Sequence, residues 1–354
     1  MKQIVITGKG GTEKLRIQEA PLPDPTGRQV RVRVEAAGVN FADVMMRLGL
    51  YPDAPKPPAV PGYEVAGTVD AVGPEGDESL VGRPVLAMCD FGGYSEAVCL
   101  PPELVHPRPA GMDAVTGAAL PVNFLTAWQM VRVMAPVAAG DRVLVHGAAG
   151  GVGQAVVQLG KLAGAELLGS ASPSKHALLR EQGLSHVFDS RQRDFAAAVK
   201  EATGGLGVDV ALEPRNGPWI MESYASLAKC GRLVLFGFSH AAVGKGSGVF
   251  SALRTLAGVP WLKLNPIRLM NDNKSVAGVN LGRMWDMAGR THHWVEALLE
   301  LAGSGKIAPR IDTVLPFARV GEAHSRLEER RNVGKVVLVP DALFGTRNEA
   351  EDPA

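Results

Sequence analysis

The stretch Val143 to Gly153, Val-Leu-Val-His-Gly-Ala-Ala-Gly-Gly-Val-Gly, has the residue types and spacing that point most directly to chemistry. A short apolar run ends in a glycine-rich turn. The turn opens into Gln154-Ala-Val-Val-Gln-Leu-Gly-Lys161, whose apolar residues recur at helical spacing. Strand, tight turn and helix in that order form the setting in which small residues at Ala148, Gly150 and Gly153 can serve a dinucleotide. The first allows the sharp turn, Gly150 lets the backbone approach a pyrophosphate, and Gly153 lets the helix pack close to the sheet. The helix start at Gly151 and Val152 supplies free N–H groups and a partial positive charge for phosphate. The bland alternative is a turn that only packs a helix on a sheet.

The next strand, Ala165-Glu-Leu-Leu-Gly169, runs into Ser170-Ala-Ser-Pro-Ser-Lys175. An NAD site usually carries a carboxylate at the end of this strand to hold the ribose hydroxyls, and Ala171 occupies that place. Its lack of charge removes a repulsion against a 2′-phosphate. Ser172 can donate a hydrogen bond to phosphate and Lys175 can supply a charge. NADPH is therefore the expected cofactor. Ser172 can equally cap the helix that starts near Pro173, with Lys175 in solvent.

These residues need elements to position them. The 354-residue chain is long enough for two domains. From 1 to about 120 it is rich in short β-like runs, of which Val30-Arg-Val-Arg-Val-Glu35 alternates as a half-buried strand does. Val65–Val72 and Pro84–Met88 read as further strands, separated by turn signals. Beyond Ala118 strands at 142–147, 165–169, 186–189, 208–212 and 232–236 alternate with helices, which predicts an α/β fold with a doubly wound parallel sheet. A strand near 276–281, a helix around 294–303 and a strand at 335–339 are too few to stand alone. The expected organisation is therefore a β domain of 1–120 with 276–340, a nucleotide-binding domain of 121–275, and a polar tail of 341–354. The site is expected at the carboxyl ends of the sheet strands, in the cleft between domains. The long connection 241–274, with an apolar stretch from Val249 to Met270, reads as a surface helix, or alternatively as a lid or contact surface.

Composition narrows the function classes. A formal net charge of +1 gives no broad basic field for nucleic acid. The three cysteines, Cys89, Cys99 and Cys230, are far apart and suit neither a disulfide framework nor a structural zinc lobe. A cytoplasmic protein is expected, since the N-terminus leads straight into a strand and no apolar run is long enough to span a bilayer.

Taken together, several segments make the chain resemble the zinc-independent quinone oxidoreductase group of the medium-chain dehydrogenase/reductases, and within it the vesicle amine transport protein branch. They are Val39-Asn-Phe-Ala-Asp-Val44, Arg47-Leu-Gly-Leu-Tyr-Pro52, Pro61-Gly-Tyr-Glu-Val-Ala-Gly67, Pro121-Val-Asn-Phe-Leu-Thr-Ala127, His146–Gly153, Ser172-Pro-Ser-Lys-His176 and Asn332-Val-Gly-Lys-Val-Val-Leu-Val-Pro340. The resemblance covers about 1 to 340 and implies a GroES-like β domain plus a Rossmann domain. Zinc-using relatives have Gly-His-Glu where this chain has Gly62-Tyr63-Glu64, and the only histidine pair, His292-His293, points in two directions from one helix. No metal is expected. Without a Lewis acid, reduction of an electrophilic quinone or activated C=C suits the chain better than alcohol chemistry.

The resemblance also implies site residues. Asn40 either donates to developing charge beside the nicotinamide or satisfies a local turn, and Asp43 caps or orients the helix that follows. Tyr51 and Tyr63 either donate from their hydroxyls or are buried aromatics with those hydroxyls satisfied. Thr126, with Asn123 beside it, matches a nicotinamide-facing threonine. Phe236, Phe238 and the strand carrying Val279 and Leu281 belong to the nicotinamide half. Arg330 matches an arginine that reaches the 2′-phosphate, or is an ordinary solvated charge. Ser190 stands at an adenosine-phosphate position where some relatives have tyrosine, and Arg215, in Glu213-Pro-Arg-Asn216, puts an unexpected charge near the nucleotide. Three functions follow: an NADPH-dependent reductase of quinones or enones, an enoyl-thioester reductase, or a nucleotide-binding membrane-associated adaptor. The expected partners are a small-molecule quinone or enone and a second copy of the chain in a homodimer.

Overall fold

A computed structural model describes residues 1–192, 194–237, 264–284 and 287–345. It divides into two compact units, Met1–Leu125 with Gly282–Ala354, and Thr126–Leu281.

The first unit begins with the hairpin β1 (Lys2–Ile6) and β2 (Leu15–Glu19), followed by β3 (Val30–Val39), α1 (Phe41–Leu48), β4 (Glu64–Val72), β5 (Pro84–Met88), β6 (Ala97–Leu100) and β7 (Val105–Pro107). In β3, Val30, Val32 and Val34 are buried while Arg31 and Arg33 alternate outward and pair with Asp70 on β4, as a period of two requires. Helices α2 (Ala114–Ala119) and α3 (Pro121–Trp128) lead out of this unit.

The second unit carries β8 (Arg142–His146), α4 (Gly151–Leu162), β9 (Glu166–Ala171), α5 (His176–Glu181), β10 (His186–Asp189), α6 (Phe195–Ala202), β11 (Val208–Glu213), α7 (Pro218–Ala225), β12 (Leu227–Leu235), α8 (Pro266–Asp272) and β13 (Ser275–Gly278). Its strands are parallel and ordered β10-β9-β8-β11-β12-β13. This doubly wound order reverses direction between β8 and β11. Val143, Leu144 and Val145 are fully buried, as expected for a central strand covered on both faces. The core gathers Leu144, Leu168, Ala211 and Leu233 from the sheet with Phe195 and Tyr224 from α6 and α7.

The chain then returns with α9 (Ala288–Gly303), β14 (Ile311–Pro316), α10 (Val320–Glu328) and β15 (Lys335–Val339). β15 pairs antiparallel with β3, giving the order β14-β15-β3-β4-β5-β7. On α10, His324 is fully buried and neither ring nitrogen has a hydrogen-bond partner among the described residues.

Two boundaries differ from the sequence expectation: the first unit runs to Leu125 rather than 120, and it resumes at Gly282 rather than 276. The strand expected at 276–281 to belong with the β domain is β13, which ends at Gly278 and joins the parallel sheet in the register Leu233↔Val276. That pairing places Val276 against the core of the second unit. Leu281 starts a 3₁₀ turn, and the first unit resumes at Gly282. Of the apolar stretch 249–270, residues 249–263 lie outside the described residues. Within α8, Ile267 and Met270 are exposed.

Candidate active site

The glycine-rich turn follows β8 directly. Gly147 has φ +66°, a left-handed conformation that favours glycine. Gly150 is extended and precedes α4 without a side chain to cap it, so the first-turn N–H groups of Gly151, Val152 and Gly153 have no intrahelical acceptor. A Cβ on Gly153 would lie 2.3 Å from the Gly147 carbonyl oxygen and 2.7 Å from Ala148, so the crossing of turn and helix admits no side chain there. At Gly150 the same oxygen would be 3.3 Å away. Ala148 is buried, and its N–H donates to the Ser170 carbonyl at 3.1 Å. Turn and helix start thus present free backbone N–H groups of the kind that bind phosphate at helix N-termini.

β9 ends at Ala171, a buried residue without charge. Ser172 sits at the N-cap of a 3₁₀ turn, Pro173–Lys175, but its side chain makes no cap hydrogen bond; its hydroxyl lies 3.4 Å from that of Ser174. Lys175 is half-buried in the last position of the turn. Ser190 follows β10, and its N–H donates to the Ala171 carbonyl at 2.9 Å.

Arg215 is turned inward. Its Nε and Nη2 donate to the two oxygens of Glu213 at 2.7 and 2.8 Å. Nη2 also donates to His146 Nδ1 at 2.8 Å, Nη1 donates to the Ser190 carbonyl at 3.3 Å, and the guanidinium lies 4.1 Å from the Trp219 ring centre. Because arginine only donates, His146 Nδ1 is an acceptor and the proton resides on Nε2. From there it reaches Ser223 Oγ at 3.0 Å, and Ser223 donates in turn to Glu213 at 2.6 Å. Burial holds His146 down to about 3, so the ring is neutral. Burial opposes ionisation of Glu213, but the charge and hydrogen bonds of Arg215 and the hydrogen bond from Ser223 outweigh it and keep the carboxyl below its usual range. Serine, histidine and glutamate meet here in the wrong order for nucleophilic catalysis. The carboxylate accepts from the serine, arginine occupies Nδ1, and all three side chains are buried. The Arg215 charge, expected near the nucleotide, is neutralised within the protein by Glu213.

A second buried polar cluster lies in the first unit. Asn40 precedes α1, and its N–H donates to Asp43 at 2.8 Å, orienting the helix start. Asp43 also accepts from the Gly62 N–H at 2.9 Å and the Tyr94 hydroxyl at 3.0 Å. Burial pushes its carboxyl up to about 7 against these bonds. Glu64 pairs with Lys335 and accepts from Asn40 Nδ2 at 2.9 Å and the Val122 N–H at 2.8 Å. Asn40 Oδ1 accepts from Lys335 at 2.7 Å. Both ends of the Asn40 amide are therefore engaged in holding the Glu64–Lys335 pair, which corrects the expectation of a free donor for developing charge.

Tyr63 is different. Its ring is buried against Tyr51 and Phe91, with centroids 6.1 and 5.1 Å away, and its hydroxyl has no hydrogen-bond partner among the described residues. The Tyr51 and Tyr63 hydroxyls influence each other's ionisation without meeting hydrogen-bond geometry. Burial and the neighbouring Asp43 raise Tyr63, so the phenol keeps its proton.

The other expected residues fall as follows. Asn123 is buried on α3, where Thr126 is half-buried. Phe236 follows β12 and donates its N–H to the Glu213 carbonyl at 3.2 Å. Val279 is buried just past β13, bonded to the Leu235 carbonyl at 2.8 Å, and Leu281 is buried in its 3₁₀ turn. Arg330 is exposed beyond α10 with φ +54°. Phe238 lies outside the described residues. Sequence reasoning missed His146, Ser190 and Glu213 as partners of Arg215, Ser170 and Ser223 as the groups that extend that cluster, and Lys335 as the partner of Asn40 and Glu64. The only local signal was the unusual Glu213-Pro-Arg order.

Comparison with known proteins places this geometry in a class. Residues 26–110 match the alcohol dehydrogenase GroES-like domain and 182–338 match a zinc-binding dehydrogenase domain. The chain belongs to the medium-chain dehydrogenase/reductase family, an oxidoreductase family with an NAD(P)-binding fold. Within it, the chain is similar to the human synaptic vesicle membrane protein VAT-1 homolog, 35% identical over 345 residues, with 96% of this chain and 86% of that protein covered. Among solved structures, a mycobacterial protein complexed with NADPH superposes with TM-score 0.83 at 32% identity, covering 96% and 100% of the two chains. A Pseudomonas syringae quinone oxidoreductase gives 0.82 at 31% (96% and 99%), and the CurK enoyl reductase 0.81 at 30% (96% and 99%). The zinc in the second domain's description does not fit these residues. Among the described residues no three His, Cys, Asp or Glu side chains converge on one point. Glu64 is committed to Lys335, and burial keeps the Cys89 thiol protonated. No helix among the described residues is long and apolar enough to cross a membrane.

Proposed function

We propose that this chain is an NADPH-dependent reductase that delivers a hydride to a quinone or an α,β-unsaturated carbonyl. The observation that carries the reading is the buried, protonated hydroxyl of Tyr63, which has no hydrogen-bond partner among the described residues, because a donor left without a partner in a dry setting is costly unless a substrate oxygen completes it. When bound, NADPH supplies the hydride from nicotinamide C4. The chain does the rest. The N–H groups of Gly151, Val152 and Gly153 bind the pyrophosphate, with Ala148 and Gly150 shaping its approach. Ser172 and Lys175 take the 2′-phosphate where Ala171 offers no repulsion, with Ser190 and Arg330 as further contacts. Asn123, Thr126, Phe236, Val279 and Leu281 serve the nicotinamide half. Tyr63, flanked by Tyr51, donates to the acceptor oxygen as electron density moves onto it. Asn40 positions Glu64 and Lys335.

Enoyl thioesters are a second acceptor class, favoured by the likeness to an enoyl reductase. The test is calorimetric titration with NADPH and with NADH, alongside Lys175→Ala, followed by NADPH oxidation with quinones, enones and enoyl thioesters. Tight NADPH binding that weakens at least tenfold in the variant, roughly the loss of one charge-assisted phosphate contact, is expected. Equal binding of NADH with no effect of the substitution refutes the phosphate assignment.

A further inference from the structure

The guanidinium of Arg215 reaches, directly or through one side chain, the carboxyl ends of four adjacent strands. Glu213 closes β11 and Arg215 holds it bidentately. Ser190 follows β10 and gives Arg215 its carbonyl. His146 closes β8, immediately before the glycine turn, and takes a hydrogen bond from Nη2. The other donor to His146 Nδ1 is the Ser170 hydroxyl on β9, 2.9 Å away, and the Ser170 carbonyl anchors the Ala148 N–H. Four of the five guanidinium N–H donors are thus spent on strand ends. In a doubly wound sheet those ends carry the nucleotide. Arg215 is 5% exposed and its charge is met by Glu213, so it has little left to offer a ligand directly.

We propose that Arg215 is a positioning residue: it ties the ends of β8, β9, β10 and β11 into one rigid rim and so sets the affinity of the site for the whole dinucleotide, without distinguishing NADPH from NADH. The inference rests on the dinucleotide site alone and not on the acceptor. Lysine at this position keeps a charge beside Glu213 but cannot span Glu213, His146 and the Ser190 carbonyl together, because it lacks the planar fork. A supporting side chain of this kind acts through the groups it orients; around metal sites the loss of such a partner costs about 10–100-fold in affinity, and the lower end is taken for this rim.

The experiment is calorimetric titration of wild type, Arg215→Lys and Ser170→Ala with NADPH and with NADH, together with the melting temperature of each. The wild type comes first, because binding of neither dinucleotide defeats the nucleotide reading itself. With wild-type binding established, Arg215→Lys is expected to raise Kd for both dinucleotides about tenfold with their ratio unchanged. Ser170→Ala, which removes only the link to β9, is expected to raise both by a smaller common factor, and it carries the test if the lysine variant does not fold. Loss confined to NADPH overturns the proposal by making Arg215 a phosphate ligand. A lower melting temperature with unaltered Kd overturns it by making the cluster purely structural.

Discussion

Replacing Tyr63 with phenylalanine removes one oxygen atom and should move stability and turnover in opposite directions. The hydroxyl is buried and has no partner among the described residues, and an unsatisfied buried polar group of this kind costs about 1–3 kcal/mol. The ring contacts with Tyr51 and Phe91 remain. The variant should gain about 1 kcal/mol, which for a unit of this size raises Tm by about 2–4 °C. If the same hydroxyl donates to the acceptor oxygen, its loss removes one preorganised donor, worth roughly 10²-fold in kcat. KM should change far less, because the contact strengthens only as charge develops. Differential scanning calorimetry reads the first effect, and the disappearance of reduced nicotinamide with an enone or quinone reads the second. A fall in Tm would mean that the hydroxyl is bonded in the folded protein. A kcat within about twofold of wild type would remove Tyr63 from the reaction.

Two further predictions concern buried charge. Burial, helped by nearby Arg47, holds His324 down to about 3, whereas an unfolded histidine titrates near 6.5. The unfolded chain therefore takes up the proton first, and stability is lost as pH falls below about 6.5. His324→Leu should stabilise by about 1 kcal/mol at pH 8, where only two nitrogens without a partner among the described residues are removed. At pH 5 the gain should be larger by about 2 kcal/mol, and urea unfolding at the two pH values that shows an equal gain would place the acid sensitivity elsewhere. Lys335→Met leaves Glu64 buried without its cation and should cost roughly 3–5 kcal/mol. Adding Glu64→Gln should recover much of that loss in urea unfolding, and a double variant as unstable as the single one would show that packing, not charge, accounts for it.

The elements around the turn at Val143–Gly153 were legible because each announces itself locally. Three fully buried apolar residues in a row mark β8, small residues mark the turn, and a period of 3.6 marks α4. Alternation in Val30–Glu35 likewise revealed β3. β14 escaped notice because Ile-Asp-Thr-Val-Leu-Pro alternates weakly, and it is defined by its parallel pairing with β15 rather than by its own pattern. β13 was visible as a strand, but its choice of sheet depends on which core Val276 can join, and periodicity carries no such information. The inward turn of Arg215 was hidden for the same reason. Its partners come from separate segments at 146, 190 and 213, and only the fold shows that a charge beside the nucleotide motif already has its counterion. Asn40 was found by its setting and its local role at the start of α1 was among the readings, but its bond to Lys335 was not, because that residue is 295 positions away.

That separation has a consequence for the order in which the protein is made. Thr126–Leu281 is one continuous segment and can complete its sheet as soon as it has left the ribosome. The first unit cannot, because β15 fills the place beside β3 and brings Lys335 to Asn40 and Glu64. At roughly 5–20 residues per second, some 15–60 s pass between synthesis of Asn40 and synthesis of its partner. Throughout that interval Glu64 has no cation, so the pocket around it must stay hydrated and the early strands cannot dry into a finished core. The parallel sheet of the second unit can thus form before Lys335 has been made, whereas the pairing of β3 with β15 and the Glu64–Lys335 contact cannot.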